Sequence, residues 1–380
     1  MAITVQTGAY VQTSAPPGVI NLGVGQPSPR LLPIAAIAEA AAAQLHASAD
    51  PLILQYGALL GYEGFRASLA AVLSVEYEQP VAADELMVTG GISSALTFVS
   101  EVFARPGATV VCEDPTYFLA AGVFRSAGLE LTGVPVDDQG LDVDALEQRL
   151  QAGLRPALVY CIPAFQNPTG ACLAPARARR LVALAETYDF VIVADEPYVL
   201  LDYSNGSAGS LTQYDQGRAR VLSLGSFSKL LAPGLRLGWA HGAPSLIERL
   251  AQHGALRSGG CLNPVIAHIV HHTLDSGSLV AHVKSLREVF GARSRALSEA
   301  LRERIPSARF VAPRGGYFCW IELGGDTEAL LERATDLRFI PGNRCAVQRE
   351  LGGWLRASVS FYEANELTEG VDRLAALLAL

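Results

Sequence analysis

The chain has 380 residues, of which half are hydrophobic and 17% are charged, and its formal net charge at pH 7 is −8. This composition excludes a globally disordered chain and can supply a large core. The acidic balance does not favour nucleic acid as a partner. At about 150 residues per domain, the length predicts two or three domains, or one large α/β unit with an appendage.

The sequence contains no pattern of a secreted or membrane-spanning protein. Its six cysteines form no CxxC pair, which is typical of reduced cysteines in a cytosolic protein. The first 18 residues have no basic region followed by an apolar run, so no signal peptide is expected. No apolar stretch reaches the roughly 18 residues that a transmembrane helix needs. We therefore expect a cytoplasmic protein that does not enter a membrane.

The first 275 residues contain an arm and an alternating pattern. Prolines and glycines predict an irregular arm over residues 1–30, and an alanine-rich helix is predicted over residues 33–47. Further on, apolar runs alternate with amphipathic helical patterns; the runs cover residues 86–90, 108–114, 157–163, 190–196 and 220–226. This alternation predicts βαβ units, and so a large α/β domain with a mostly parallel sheet over residues 31–275.

The pattern changes after residue 276. A long helix is predicted over residues 278–304. It is followed by apolar runs at residues 309–314, 317–323 and 354–361 and by helical patterns at residues 326–335 and 364–379. We expect a smaller α+β domain over residues 276–380, joined by part of the N-terminal arm.

Chemically distinctive segments follow each of the five runs in the large domain. They are GGISS (90–94), EDPTY (113–117), NPTG (167–170), DEPY (195–198) and SFSK (226–229). Ligands of open α/β sheets bind at the carboxyl ends of the strands. The five segments therefore predict one converging site.

Lys229 follows the last of these runs, and Lys284 is the only other lysine in the chain. A lysine amine can form a Schiff base with a carbonyl, whereas arginine is not deprotonated in proteins. The neighbouring Ser226, Ser228 and Arg236 could hold a phosphate. An average lysine is instead a solvated surface residue, which is the interpretation we give Lys284.

Asp195 ends the apolar run FVIVA. A carboxylate at the end of a buried strand is costly unless it is paired or hydrogen-bonded. A pyridinium N–H would be such a partner, and a helix cap or a structural ion pair is the alternative. The GGISS segment could bind a phosphate through backbone N–H groups, although Gly-Gly turns before helices are common.

The ordered set of NPTG, DExY, SxSK and a late arginine resembles the pyridoxal-phosphate (PLP) aminotransferases of fold type I. It is most similar to the branch of 2-aminoadipate and aromatic aminotransferases and of the enzyme-like half of MocR regulators. The resemblance extends from INLGVGQPSP (20–29) to WLRASVSF (354–361). It implies a large domain with a mostly parallel seven-stranded sheet, a smaller α+β domain, PLP as cofactor and a homodimer with a shared active site.

The resemblance implies roles for residues at the strand ends. Lys229 would form the Schiff base and move the substrate α-proton, and Asp195 would pair with the pyridine nitrogen. Tyr117 would stack on the ring, while Tyr198 and Asn167 would hydrogen-bond its phenolic oxygen. The phosphate would be bound by Gly91, Ile92, Ser93, Ser226, Ser228 and Arg236, and by Tyr56 of the partner subunit.

The resemblance also implies a substrate site. Arg356 would bind the α-carboxylate as a bidentate pair, with Asn167 beside it, and the Gly25 backbone would lie against the substrate. Relatives often have Ser or Thr followed by Gln where this chain has Ile92 and Ser93, so a hydroxyl contact to the phosphate is expected to be missing.

Four further residues leave alternatives open. His268, His271 and His272 lie at helical spacing, but no HExxH pattern accompanies them, so no metal site is expected. Arg257 lies near where some relatives contact the distal end of an acidic substrate, and it could also be a surface arginine.

The expected function is transfer of an amino group from an L-amino acid to a 2-oxo acid by a ping-pong mechanism. We expect aromatic, large apolar, 2-aminoadipate or glutamate donors and 2-oxoglutarate as acceptor. One alternative is another PLP enzyme of this fold, a C–S β-lyase or a decarboxylase. The other is a non-catalytic MocR-like regulator domain, against which the acidic charge and the roughly 20 residues before INLGVG argue.

Overall fold

The structure, a computed structural model, describes residues 18–204 and 208–379. The first 17 residues of the predicted arm lie outside this range. The strands are β1 (Ile20–Asn21), β2 (Leu86–Thr89), β3 (Thr109–Asp114), β4 (Glu130–Asp137), β5 (Gly140–Leu141), β6 (Leu158–Cys161), β7 (Val191–Asp195), β8 (Val221–Ser226), β9 (Gly238–Gly242), β10 (Arg309–Phe310), β11 (Phe318–Glu322), β12 (Leu337–Arg338), β13 (Ile340–Pro341) and β14 (Trp354–Ser358).

Short 3-10 turns and longer helices connect the strands. The helices are α1 (Ile34–Gln44), α2 (Glu63–Glu76), α3 (Ile92–Phe103), α4 (Phe118–Ser126), α5 (Val143–Gln151), α6 (Pro175–Tyr188), α7 (Pro244–Leu250), α8 (Gly254–Gly259), α9 (Pro264–Asp275), α10 (Ser278–Arg304), α11 (Thr327–Arg333) and α12 (Ala364–Leu378). Within the described ranges, no helix is both long enough and apolar enough to span a bilayer.

The large sheet has the strand order β2-β9-β8-β7-β6-β3-β4-β5. The strands from β8 to β4 pair in parallel, and β9 pairs antiparallel with both β8 and β2, so β2 runs in the parallel direction. The predicted mostly parallel sheet is confirmed. It has one strand more than the expected seven, because the chain after β4 folds back as the two-residue β5.

The five apolar runs of the large domain form β2, β3, β6, β7 and β8. Every residue of β2, β6, β7 and β8 is buried, because helices pack on both faces of the sheet. One face packs on a core with α3 and α4, and the other on a core with α5 and α6. The carboxyl ends of all five strands therefore meet at one edge of the sheet.

A second, antiparallel sheet has the order β10-β11-β14-β13. Helices α10 and α12 pack against each other, and their apolar residues share a core with β11 and β14. From the arm, β1 pairs in parallel with β12, with Ile20 opposite Leu337. The division of the chain at residues 30 and 275 stays a prediction.

Candidate active site

A cavity of about 300 Å³ opens at the carboxyl edge of the large sheet. Twelve of the residues predicted for the site line it: Gly25, Ile92, Ser93, Tyr117, Asn167, Asp195, Tyr198, Ser226, Ser228, Lys229, Arg236 and Arg356. The wall also includes Phe318 from β11 and Gly23 from the arm. The cavity is thus built by the large sheet, the smaller sheet and the arm together.

The Lys229 amine lies inside this cavity, in the turn that follows β8. Its Nζ donates a hydrogen bond to the carbonyl of Gly25 (2.7 Å) and lies 5.3 Å from the centre of the Tyr317 ring. Burial, helped by the charge of Arg356, lowers the pKa of Lys229 to about 8. A small change of surroundings is therefore enough to release a neutral, nucleophilic amine near neutral pH.

Asp195 is buried at the end of β7, with 3% of its surface exposed. Its Oδ2 accepts a hydrogen bond from the Tyr160 hydroxyl (2.6 Å), whereas its Oδ1 has no hydrogen-bond partner among the described residues. Burial raises the pKa of Asp195 to about 6, and the Tyr160 hydrogen bond and the Lys229 charge oppose that rise. At neutral pH the carboxylate is mostly ionised, with one oxygen left for a donor in the cavity.

A cradle for an anion lies where β2 meets α3. Gly91 has φ +88°, and a Cβ there would lie 3.4 Å from Arg236 Nη2 and 3.8 Å from Ser226 Oγ. Ser226 Oγ accepts a hydrogen bond from the N–H of Ser228 (3.1 Å). Helix α3 begins at Ile92, so its first backbone N–H groups have no partner within the helix. Such N–H groups beside an arginine and two hydroxyls suit a phosphate.

Arg356 lies on β14 and is 3% exposed. Its Nη1 donates to Asn167 Oδ1 (2.8 Å) and its Nη2 to the carbonyl of Gly23 (2.9 Å). The guanidinium also lies 4.1 Å from the centre of the Phe318 ring. A fixed guanidinium in the cavity wall is the group that best matches a carboxylate.

Two phenols complete the wall. Tyr117 precedes α4, and burial raises its pKa to about 12. Tyr198 is buried, and burial raises its pKa well above the usual range. Both hydroxyls therefore keep their protons at neutral pH and can donate hydrogen bonds.

Two buried polar residues near the cavity, Glu113 and Gln166, were not predicted from the sequence. Buried Glu113 accepts hydrogen bonds from the Ile162 N–H and from Gln166 Nε2 (both 3.0 Å), and burial raises its pKa to about 8. Gln166 Oε1 in turn accepts from Thr169 N–H (2.9 Å), which ties down the loop that carries Asn167. Glu113 is the first residue of the EDPTY segment and Gln166 directly precedes NPTG, whereas Tyr160 lies within an apolar run and nothing in the sequence distinguishes it.

The two predicted site residues outside the cavity wall are Gly91, which lies in the cradle beside it, and Tyr56. Tyr56 is 85% exposed, and its contact with a partner subunit stays a prediction. Arg257 lies on α8, where its Nη1 donates to Gln252 Oε1 (3.4 Å).

Two of the three predicted histidines on α9 contact neighbouring side chains. His268 stacks on Tyr62, with ring centres 3.9 Å apart, and His271 Nε2 lies 3.0 Å from Ser68 Oγ. In residues 18–204 and 208–379, no group of three or more potential ligands is placed to hold a metal ion.

The cavity fits an aromatic cofactor with a phosphate and a ring N–H. The unpartnered oxygen of Asp195 could accept that N–H, because the carboxylate is otherwise satisfied only at Oδ2. The cradle around Gly91 could hold the phosphate, and Lys229 supplies an amine for an aldehyde. A pyridoxal phosphate has all three features.

Comparisons with known proteins identify the family of the chain. Residues 17–374 match the family model described as "Aminotransferase class I and II". Aromatic-amino-acid aminotransferase 1 of Thermococcus litoralis is 34% identical over 94% of this chain and 87% of its own length. The 2-aminoadipate transaminase of Thermus thermophilus is also 34% identical, over 95% and 90%.

Solved structures show the same architecture. The crystal structure of Pyrococcus horikoshii kynurenine aminotransferase in complex with PMP superposes with a TM-score of 0.89 at 32% identity, over 98% of this chain and 93% of that one. The alpha-aminoadipate aminotransferase of Thermus thermophilus, complexed with N-(5'-phosphopyridoxyl)-L-leucine, gives a TM-score of 0.85 at 31% identity, over 98% and 96%.

Proposed function

The chain belongs to the class I and II aminotransferases and is a PLP-dependent aminotransferase of fold type I, and on this premise we propose its substrates. We infer aromatic and large apolar L-amino acids, 2-aminoadipate and glutamate as donors, 2-oxoglutarate as acceptor, and a ping-pong order. Relatives named for aromatic amino acids, 2-aminoadipate and kynurenine support the donors. The Leu96, Leu119 and Val123 side chains in the cavity wall suit apolar substrates.

One observation supports this function most directly. The Asp195 oxygen without a partner and the Lys229 amine with a lowered pKa line the same cavity. When bound, PLP supplies an electron sink for the bonding electrons of the substrate Cα. In our proposal Asp195 keeps the ring nitrogen protonated, and Lys229 carries the proton between the substrate Cα and the cofactor. Tyr117 would cover the ring, and Tyr198 and Asn167 would donate hydrogen bonds to its phenolic oxygen.

The remaining residues of the proposed site bind and orient. Arg356, held in place by Asn167 and the Gly23 carbonyl, binds the α-carboxylate of the substrate. Without cofactor, the Lys229 amine donates a hydrogen bond to the Gly25 carbonyl, which keeps it inside the cavity. The phosphate is bound by the cradle of Gly91, Ile92, Ser93, Ser226, Ser228 and Arg236.

We further propose a homodimer in which Tyr56 reaches the phosphate in the partner's site. Leu52, Leu54 and Tyr56 are 69%, 72% and 85% exposed in the single chain. Three large apolar side chains so close in sequence favour an interface. The six free cysteines, five of them buried, support a cytoplasmic location.

A panel of amino acids tests the donors. Each true donor should convert the bound cofactor from its aldehyde to its amine form, which absorbance follows, and the rates rank the donors. Lys229→Ala should stop the conversion. A C–S β-lyase or a decarboxylase would instead complete many turnovers without an added 2-oxo acid acceptor, and that result would contradict the proposed transfer.

A further inference from the structure

We propose that Tyr160 is a positioning residue for the cofactor: its hydroxyl holds Asp195 so that Oδ1 faces the ring nitrogen as a carboxylate oxygen. This inference rests on the proposed role of Asp195. It concerns a residue outside the cavity wall, which acts only through the carboxylate.

The sheet register places Tyr160 next to Asp195. On β6, Tyr160 pairs with Val193 of β7, two residues before Asp195. Residues two apart on a strand point to the same face, so the Tyr160 side chain extends along the sheet towards the carboxylate. Its hydroxyl lies 2.6 Å from Oδ2, and its ring contacts Phe124 edge-on with centres 5.4 Å apart. The side chain is fully buried, so it has no solvent to turn towards.

The direction of this hydrogen bond is fixed. Burial and the Asp195 charge hold the pKa of Tyr160 well above its usual range, so the phenol keeps its proton and donates. Oδ2 is thereby occupied, and the only oxygen that remains for the cofactor is Oδ1. A carboxylate bound at one oxygen in this way cannot rotate without losing a charged hydrogen bond.

Other groups near Asp195 do not supply this restraint. Lys229 stabilises the negative charge through space. The buried Glu113 and Glu196 each have their pKa raised partly by the Asp195 charge, so they oppose it. The charge of Asp195 also raises the pKa of the Tyr117 and Tyr198 phenols, and neither donates to Asp195. Tyr160 is the one described side chain that donates a hydrogen bond to the carboxylate.

The Tyr160→Phe substitution tests the proposal. It leaves Oδ2 buried without a donor, which favours the protonated acid and weakens the pairing with the ring N–H. A lost hydrogen bond to a charged group corresponds to a roughly 10- to 100-fold weaker binding of PLP by the apoprotein. The dissociation constant of PLP is measured by fluorescence titration. Because no substrate is present, the result does not depend on the proposed donors and acceptor.

A cofactor analogue separates this role from a structural one. In 1-deaza-PLP a carbon replaces the ring nitrogen, so it cannot use Asp195 as PLP does. The dissociation constant of 1-deaza-PLP should be the same within about twofold in Tyr160→Phe and in the unaltered protein, because no ring N–H contact is lost. Equal weakening of PLP and the analogue would mean a distorted site and would overturn the proposal, as would unchanged binding of both.

Two controls complete the design. Tyr77→Phe removes another buried hydroxyl outside the cavity, and it should leave PLP binding unchanged. If Tyr160→Phe does not fold, 3-fluorotyrosine can be introduced at position 160, where it keeps the hydroxyl but is more acidic. The ¹⁵N resonance of the bound ring nitrogen should then shift, and an unmoved resonance would contradict the proposal.

Discussion

Burial holds the ionisable side chains in and behind the cavity away from their ordinary pKa values. It lowers the pKa of Lys229 to about 8 and raises that of Asp195 to about 6, of Glu196 to about 7 and of Glu113 to about 8. The types of Lys229 and Asp195 were informative in the sequence because few other residues can do their chemistry. Tyr160 was not informative in the sequence, because a tyrosine in an apolar strand is common and its hydrogen-bond partner cannot be read from the sequence.

The depressed pKa of Lys229 should cost stability in the apoprotein. Between its folded value of about 8 and its ordinary value of 10.5, the unfolded chain binds a proton that the folded chain has released, so unfolding free energy rises with pH in this window. At pH 7 both states are protonated and the folded state bears the full penalty. Lys229→Met removes this penalty but also removes the hydrogen bond to Gly25. The net effect at pH 7 should be an apoprotein that is about 2 kcal/mol more stable.

Urea unfolding of the apoproteins at pH 7 and pH 10 measures this effect. The advantage of Lys229→Met should shrink at the higher pH, because the folded lysine is then neutral and no longer buries a charge. Lys284→Met is the matched control, because Lys284 is exposed on α10 and should change stability by less than about 0.5 kcal/mol. A gain that is the same at both pH values would contradict the assigned pKa.

At the scale of elements, the close pairing of β8 and β9 positions the turn that carries Lys229. Gly225 lies opposite Trp239 in this antiparallel pair. The indole occupies the space where a Gly225 side chain would be, 2.0 Å from the ideal Cβ position. The apolar run of β8 was predictable from the sequence. Strand β9 was not, because its residues Gly238–Gly242 are small or mixed and only their partners on both sides make them a strand.

Gly225→Ala should be destabilising, because the indole or the strand must move to admit the methyl group. We expect a loss of roughly 1–3 kcal/mol in the unfolding free energy of the apoprotein. PLP affinity should fall as well, since Ser226 and Lys229 follow directly. Gly234→Ala is the control, because no atom lies within 4 Å of its ideal Cβ position. If Gly225→Ala and Gly234→Ala were equally stable, the close contact between Gly225 and Trp239 would not matter for stability, and the prediction would be wrong.

At the scale of the whole molecule, the site combines segments that are far apart in sequence. Arg356 of the smaller sheet is hydrogen-bonded to Asn167 of the large domain and to Gly23 of the arm. The arm is itself held by β1 pairing with β12. Any movement between the two sheets therefore moves the proposed carboxylate-binding group relative to Lys229.

Hybrid dimers test the proposed contribution of Tyr56 to the partner's site. In a dimer of one Lys229→Ala subunit and one Tyr56→Phe subunit, both substitutions would fall in one site and leave the other intact. The Lys229→Ala homodimer should have no active site, and the Tyr56→Phe homodimer should bind PLP more weakly at both sites. The purified hybrid should regain half of the sites with unaltered PLP affinity. If Tyr56 acts in its own subunit, no hybrid site has unaltered affinity.

The alternation of strands and helices, the five strand ends and the residue types that meet there could all be predicted from the sequence. Apolar periodicity and strand-end chemistry are local properties, so they can be read from neighbouring residues. Only the folded chain shows which oxygen of Asp195 is free, which groups hold Arg356 and how far each pKa moves. Those depend on distances and burial between residues such as Tyr160 and Asp195, which are 35 positions apart and brought to 2.6 Å only by strand pairing.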